Sequence, residues 1–118
     1  MAHNFILDYL YPLVPRIKSM FGNHSLYIED KIYLATRRNE KKPLDNGIWV
    51  GTKIEHHESL QQQFPSLTHI RSYKIKKWLL LPVDATDFEE VAIEICELIK
   101  SGDPRIGVVP KPKKKKKK

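Results

Sequence analysis

One stretch decides the fold, namely residues 16–37, which read RIKSMFGNHSLYIEDKIYLATR. Apolar and polar residues alternate along it in three runs, and this is the period of half-buried strands. Gly22-Asn23-His24 supplies turn residues after the first run, and Asp30-Lys31 makes a tight connection before the third. The stretch therefore predicts a three-stranded antiparallel meander.

A helix is predicted before the meander, over residues 2–14, because apolar residues recur there at helical spacing with Asp8 on the opposite face. Pro12 ends this helix or lies in its last turn, and Pro15 forbids its continuation. The apolar positions are Phe5, Ile6, Tyr9, Leu10 and Leu13.

A longer helix is predicted between Thr86 and Gly102, with Thr86 as N-cap and Gly102 as the C-terminal stop. Acidic residues in its first turn and Lys100 near its end suit the helix dipole. The predicted buried stripe consists of Phe88, Val91, Ala92, Ile95, Leu98 and Ile99.

The middle of the chain alternates loops with short elements. Residues 38–47 carry five charges, a proline and a final Asn-Gly, which indicates a solvated loop or a hairpin tip. Strands are predicted over Ile48–Thr52 and Tyr73–Pro82, and a helix over Glu55–Phe64, while residues 66–72 are expected to be irregular.

This order predicts an α+β fold, in which an antiparallel sheet of four to five strands carries the N-terminal and C-terminal helices on one face. The 118 residues suffice for one domain, and 41% hydrophobic residues suit a packed core. We expect that domain to span residues 1–102 and to be followed by a flexible tail, rich in proline and lysine, over 103–118.

The formal charge of +7 is unevenly distributed along the chain. Lys111 and Lys113 to Lys118 supply seven of the 21 basic residues, so residues 1–110 hold 14 basic against 14 acidic residues. The predicted domain is therefore close to neutral, and an anionic partner is expected first for the tail.

Several features between Tyr9 and Arg37 match a known pattern. They are Pro12-Leu13, the segment Lys18-Ser19-Met20-Phe21-Gly22, Leu26-Tyr27, Asp30 and Ile32 to Ala35. Together they resemble the N-terminal domain of the TfoX/Sxy family, over about residues 3–101, with Lys18, Met20, Phe21 and Gly22 as the family signature. The resemblance implies a small α+β domain that acts in transcriptional control through protein or DNA partners, without an established catalytic reaction.

Chemistry-bearing residues are few, and we predict no catalytic residue, cofactor or metal site. Neighbouring residues of a helix point about 100° apart, so His56 and His57 are not expected to face one ion. Cys96 lies beside the apolar stripe of an acidic helix, which favours a buried, inert thiol. A single cysteine favours a reducing, cytoplasmic location, and no apolar run has the length of a membrane span.

Two basic regions are candidates for nucleic-acid binding, because lysines contact phosphates and aromatic rings stack on bases. The first combines Arg71, Lys74, Lys76, Lys77 and Trp78, and its alternative is a charged edge strand that prevents aggregation. The second is the run Lys113, Lys114, Lys115, Lys116, Lys117 and Lys118. If all six contacted DNA, log K would fall with log salt at a slope of about −5; the alternative is a solubilising end without a partner.

The sequence thus favours a small non-enzymatic regulatory or interaction module with a protein partner that the sequence does not identify. Non-specific nucleic-acid binding through the tail is the second hypothesis. A small enzyme or metal-binding protein is the third.

Overall fold

The computed structural model describes residues 1–20, 22–72 and 75–110, with Met20 described by its backbone. The elements are α1 (Ile6–Leu10), β1 (Arg16–Met20), β2 (Asn23–Ile28), β3 (Lys31–Arg37), β4 (Gly47–Val50), a 3₁₀ turn (Ile54–His56), α2 (His57–Gln63), β5 (Thr68–His69), β6 (Leu79–Pro82) and α3 (Phe88–Lys100). The six strands form one antiparallel sheet in the order β1-β2-β3-β4-β6-β5. The predicted α+β class is confirmed, and the additional strand is β5, in the segment expected to be irregular.

The predicted meander is present as β1, β2 and β3. Ile17 lies opposite Leu26, and Leu26 lies opposite Leu34, so these three side chains share one face of the sheet. Gly22 has a φ of +81°, which residues with a side chain rarely adopt, and it therefore suits the turn between β1 and β2. Phe21, the aromatic residue of the signature, lies outside the described residues.

One face of the sheet is covered by α1 and α3 and holds the main core. Its buried side chains include Ile6, Leu10, Leu26, Leu34, Ile48, Val50, Leu79, Leu81, Val91, Ala92, Ile95, Cys96 and Ile99. Burial of one such leucine or isoleucine stabilises the fold by about 1.5–3 kcal/mol. We call this side the helix-covered face.

The opposite side carries a smaller apolar cluster, none of whose described members lies in a helix. It consists of Ala35, Trp49, Ile70 and Leu80, with Ile75 and Trp78 packed against it. The strand residues alternate with those of the main core, as the pleat requires, and the covering side chains are Ile70, Ile75 and Trp78. We call this side the loop-covered face.

Asp45 fastens this covering segment, although it is a charged residue with only 4% of its surface exposed. Its carboxylate accepts the backbone N–H of Arg71 at 3.0 Å and that of Ser72, while its own carbonyl accepts Trp49 Nε1 at 3.0 Å. Burial raises the pKa of Asp45, but the hydrogen bonds from Ser72 and Arg71 outweigh it and hold the pKa below its usual value. A residue of the predicted solvated loop therefore organises the loop-covered face.

Arg37 anchors the same loop from the end of β3. Its buried guanidinium donates to the carbonyls of Leu44 at 3.2 Å and Lys42 at 3.1 Å, and to Asn23 Oδ1 at 3.4 Å. Several hydrogen bonds to one arginine offset the cost of burying its charge. The segment 38–46 is thus solvated along its outer side and fixed from within.

The first helix is shorter than predicted. Only Ile6–Leu10 is helical, not residues 2–14, and Tyr11 already has a ψ of 136° at its C-terminal end. Extended backbone is required before Pro12, because the proline ring clashes with a helical residue in front of it. The proline therefore stops the helix one turn earlier than the apolar spacing indicates.

The helix predicted between Thr86 and Gly102 is confirmed, but its N-cap is not Thr86. α3 begins at Phe88 with Asp87 at the N-cap, because its first hydrogen bond runs from Val91 N–H to the Asp87 carbonyl. The Asp87 side chain instead accepts a hydrogen bond from Ser66 Oγ at 2.5 Å. Within the stripe, Phe88 and Leu98 are only partly buried. None of the described helices has both the length and the apolar character needed to cross a bilayer.

Of the predicted strand over Tyr73–Pro82, the last four residues are confirmed, while Tyr73 and Lys74 lie outside the described residues. β6 covers Leu79–Pro82, and residues 75–78 lie outside the sheet. Ile75 and Trp78 pack onto the loop-covered face while Lys76 and Lys77 stay exposed, so this part of the chain serves as a cover.

Past Gly102 the chain remains attached, contrary to the prediction of a loose segment from Asp103 onward. Ile106 is buried in the main core, and Val108 exchanges backbone hydrogen bonds of 2.8 and 2.9 Å with Ile32 of β3. One buried isoleucine and this short ladder are enough to hold residues 103–110 against the sheet. The remaining residues, 111–118, lie outside the described part.

Candidate binding cleft

An open cleft of about 670 Å³ lies beside the loop-covered face, where β3, the segment after β4 and the C-terminal segment meet. It is lined by Ile32, Lys53, Ile54, Glu55, Lys77, Trp78, Val108, Val109 and Pro110. This volume is in the range of about 300–1,000 Å³ that accommodates small-molecule-sized groups. We call this site the cleft.

Gly51 allows the walls of the cleft to approach one another. Its N–H donates to the Tyr33 carbonyl at 2.9 Å, and its own carbonyl accepts Gly107 N–H at 2.8 Å. A Cβ at position 51 would lie 2.8 Å from the Ile32 carbonyl oxygen and 3.5 Å from the Trp78 ring. Only glycine leaves the room for this close approach.

Gly107 has the same role in the C-terminal wall. Its φ of +109° is rarely adopted by residues with a side chain, and a Cβ there would lie 2.7 Å from the Tyr33 ring. This conformation leads the chain into the pairing of Val108 with Ile32. The wall formed by Val108, Val109 and Pro110 is therefore part of the fold.

The C-terminal wall is also fastened through Arg105. Its guanidinium contacts Asp103 at 2.8 Å, Ser59 Oγ at 2.8 Å and Gln63 Oε1 at 2.8 Å, and so joins the wall to α2. The Arg105 side chain is the main cause that holds the pKa of Asp103 below its usual value. The backbone of the same residue is held as well, because Thr52 Oγ1 donates to the Arg105 carbonyl at 2.6 Å.

The Trp78 wall is positioned by a buried histidine. His57 Nε2 lies 2.6 Å from the Lys77 carbonyl. Since a carbonyl can only accept, the proton is on Nε2. This bond fixes the backbone next to Trp78, whose ring packs against the cluster of the loop-covered face. The indole therefore lines the cleft in a defined position.

Two apolar side chains that line the cleft are exposed to solvent. Ile54 is 59% exposed and Val109 is 54% exposed, and both line the same opening. Exposed apolar surface of this kind, when it is contiguous and bordered by polar groups, is typical of a binding site.

The border of the cleft is basic. Among the described residues, the ammonium groups of Lys53 and Lys77 have no acidic partner at ion-pair distance. The acid at this border, Glu55, lies 3.5 Å from His56 Nε2. An adjoining cavity of about 200 Å³ adds Lys31 to the same side, whereas the Arg105 that also lines it is paired with Asp103. An anionic ligand would meet more positive than negative charge here.

The predicted basic-aromatic cluster is divided by the structure. Lys77 and Trp78 line the cleft, whereas Arg71 and Lys76 are exposed and do not line it. Lys74 lies outside the described residues, as do Lys113, Lys114, Lys115, Lys116, Lys117 and Lys118. Since residues 75–78 are not a strand, the alternative of a charged edge strand does not apply to them.

The signature of the resemblance does not coincide with the cleft. Lys18 is exposed on the edge strand β1, and Gly22 serves the next turn. Neither residue lines the cleft. Met20 contributes a backbone pairing with Asn23.

The two remaining candidates for chemistry are also placed. His56 faces Glu55 while His57 faces the Lys77 carbonyl, so the two rings are directed apart. In the described part of the chain, no three His, Cys, Asp or Glu side chains are grouped as metal ligands would be. Cys96 is buried, as the sequence predicted, and burial raises the pKa of its thiol to about 12.

Sequence reasoning missed Lys53, Ile54 and Val109. The available signal was an isoleucine between charged residues, Lys53-Ile54-Glu55, and the apolar pair Val108-Val109 in a segment that was expected to be loose. Neither signal shows that the two segments meet.

Comparison of the chain with protein-family models, with curated proteins and with solved structures finds no match. The similarity to the TfoX/Sxy family therefore stands on the residues between Tyr9 and Arg37 and stays a hypothesis.

Proposed function

We propose that this chain is a small non-enzymatic interaction module, of the regulatory type that the TfoX/Sxy resemblance implies, and that it binds a negatively charged partner in the cleft. The observation that carries the proposal is the combination of exposed apolar side chains, Ile54 and Val109, with the lysines of the border. Apolar contacts would supply affinity, and Lys53 and Lys77 would select for negative charge.

Nucleic-acid binding through the tail is the second candidate. The feature that favours it is the position of the lysine run in the sequence, which begins at Lys113, three residues after Pro110 at the border of the cleft. A small enzyme or metal-binding protein is the third candidate, and the described residues offer it no group of three metal ligands. We further propose a cytoplasmic location, since the single cysteine is a free thiol.

The test uses dextran sulfate, a polyanion without bases or amino acids, so that charge alone is probed. Binding to the full chain is compared with binding to the double variant Lys53→Gln/Lys77→Gln. The matched control is Lys41→Gln/Lys42→Gln, which removes the same charge from the exposed loop 38–46. Each surface charge contact contributes about 0.5 kcal/mol, so the loss of two should weaken binding about fivefold, and we expect this only in the cleft variant.

Equal weakening in both double variants would mean that only net charge matters, and the cleft would then not be the binding site. Unchanged binding in the cleft variant would contradict the proposal in the same way.

A further inference from the structure

We propose that β1, the open edge of the sheet, binds an extended segment of another protein in which acidic and apolar residues alternate, and that this segment is added to the sheet as a further strand. The surface consists of residues 16–19 of β1 and the exposed apolar side chains that precede them. We call it the edge surface. None of the described residues that line the cleft lies on β1, so the inference goes beyond the proposed function.

The first step is the direction of the backbone groups of β1. This strand is the outermost one on its side of the described sheet, where it pairs with β2. Met20 lies opposite Asn23 with two residues between them, so these two form a hydrogen-bonded pair. Hydrogen-bonded and non-hydrogen-bonded pairs alternate along an antiparallel ladder. The N–H and C=O groups of Ile17 and Ser19 therefore point away from β2.

The outward backbone groups of Ile17 and Ser19 are accessible. Outside the ladder with β2, no backbone hydrogen bond to them is present among the described residues. The side chains of residues 16–19 are all exposed, so nothing in the described part of the chain covers this edge. A row of free N–H and C=O groups on an exposed edge is a template for a further strand.

The second step is the apolar surface beside this edge. Eight large apolar side chains are exposed among the described residues, and four of them, Tyr9, Tyr11, Val14 and Ile17, lie within residues 9–17. Val14 is 81% exposed, and Ile17, on the same face of the sheet as Leu26, is 45% exposed. Such a concentration of exposed apolar side chains favours contact with apolar groups of a partner.

The third step is the charge along β1. Arg16 and Lys18 lie on the opposite face from Ile17, and no described carboxylate is at ion-pair distance from either. The Arg16 guanidinium lies 4.9 Å from the centre of the Tyr27 ring and donates to the Glu29 carbonyl at 3.3 Å. Residues directly opposite each other on paired strands share a face. The matching strand therefore has acids opposite Arg16 and Lys18 and an apolar residue opposite Ile17.

A second copy of this chain is the competing partner, because it has the same open edge. In the antiparallel register that overlaps two β1 strands fully, the Lys18 side chains of the two copies would lie directly opposite each other. Like charges in this position destabilise a pair of strands, and lysine on an edge strand is a common device against self-association. The same lysine attracts a strand that carries acids. The charge pattern thus favours an acidic segment of another protein.

The probe is a capped seven-residue peptide in which aspartate and valine alternate, added to the full ¹⁵N-labelled chain. Binding is followed in ¹H–¹⁵N spectra, and backbone amide exchange is measured in parallel. The Ile17 and Ser19 amides should exchange fast in the free chain, and saturation with the peptide should slow them about tenfold. The Lys18 amide, which faces β2, is the internal reference. A peptide that protects neither Ile17 nor Ser19 at millimolar concentration would overturn the inference.

Two N-methylated peptides test strand pairing without any change in the protein. Methyl groups on the valine nitrogens remove the N–H groups that would face Ile17 and Ser19, whereas methyl groups on the aspartate nitrogens replace N–H groups that point away. We expect the first peptide to lose binding and the second to retain it. Equal binding by both would mean that charge attraction alone holds the peptide, which would contradict the added strand.

A charge reversal in the protein tests the complementarity. Lys18→Glu should weaken binding of the aspartate peptide about tenfold and should strengthen binding of a peptide with lysine in place of aspartate. The matched control is Lys41→Glu, which makes the same charge change in the exposed loop 38–46 and should leave both affinities unchanged. Equal weakening in Lys18→Glu and Lys41→Glu would show that only net charge matters, against the inference.

The cleft variant Lys53→Gln/Lys77→Gln separates this inference from the proposed function. We expect it to bind the aspartate peptide as the native chain does. If the cleft variant loses the peptide while Lys18→Glu retains it, the peptide binds in the cleft and the edge inference is wrong. If sedimentation shows that the chain self-associates and the Ile17 and Ser19 amides are protected without peptide, the occupant is a second copy and the inference is likewise wrong. Neither result would change the dextran sulfate test of the cleft.

Discussion

The two faces of the sheet are stabilised in different ways. The helix-covered face is closed by apolar side chains from α1 and α3, and its residues include Leu34, Leu81 and Ile95. The loop-covered face is closed by irregular segments, which buried polar residues such as Asp45 and Arg37 hold in place. The helix-covered face is therefore filled by packed helices. On the loop-covered face, irregular segments leave room for the cleft at its side.

The largest effect is expected on the helix-covered face. Leu81→Ala removes a fully buried side chain of β6 from the main core, and we expect a loss of about 2–5 kcal/mol in the free energy of unfolding. Urea denaturation measures it. A loss below about 1 kcal/mol would mean that this face is not the main core.

A smaller effect is expected when the polar fastening of the loop-covered face is weakened. Asp45→Asn keeps the shape and tolerates the φ of 67°, but it removes the charge that accepts the N–H groups of Arg71 and Ser72. We expect a loss of about 1–3 kcal/mol in urea denaturation at pH 7. An unchanged stability would show that apolar contacts alone hold this cover.

The same substitution should change the pH dependence of stability. The folded pKa of Asp45 is depressed, so its contribution is complete above the unfolded pKa of about 4 and is lost as the pH falls through the folded pKa. Between those values the native chain should lose stability more steeply than Asp45→Asn. Parallel curves from pH 6 to pH 2 would contradict this assignment.

The sequence predicts the two faces of the sheet to different extents. Alternation in residues 16–37 and the stripe of α3 identify the helix-covered face, because apolar periodicity is a local signal. Asp45 and Arg37 resemble ordinary loop and strand-end charges, since their burial depends on segments that are distant in sequence. The cleft escapes prediction for the same reason: Ile32 and Val108 meet only in the folded chain.

The next effect concerns the C-terminal wall of the cleft. Gly107→Ala places a Cβ against the Tyr33 ring at a φ of +109°, whereas Gly102→Ala, at +81°, meets open space. The backbone strain costs about 1–2 kcal/mol in each, and the contact with Tyr33 adds to it at Gly107. We expect hydrogen exchange at Val108 to accelerate only in Gly107→Ala. Equal exchange in both variants would mean that the wall does not depend on this approach.

The smallest effect tests how tightly the helix-covered face is closed. Cys96 has its pKa raised to about 12 by burial, so a thiol reagent should label it only when this face opens. We expect the labelling rate at pH 7 to rise more with Leu81→Ala than with Asp45→Asn, because Leu81→Ala loses more stability and loosens the face that buries Cys96. Faster labelling in Asp45→Asn alone would reverse the comparison.

The most direct measurement of the central claim uses the two indole N–H signals in a ¹H–¹⁵N spectrum of the full chain. Trp78 borders the cleft, while Trp49 Nε1 is bonded to the Asp45 carbonyl inside the loop-covered face. On addition of dextran sulfate, we predict that the Trp78 indole signal shifts with saturation and the Trp49 signal stays in place. Dextran sulfate that binds while the Trp78 signal remains unmoved would contradict the account.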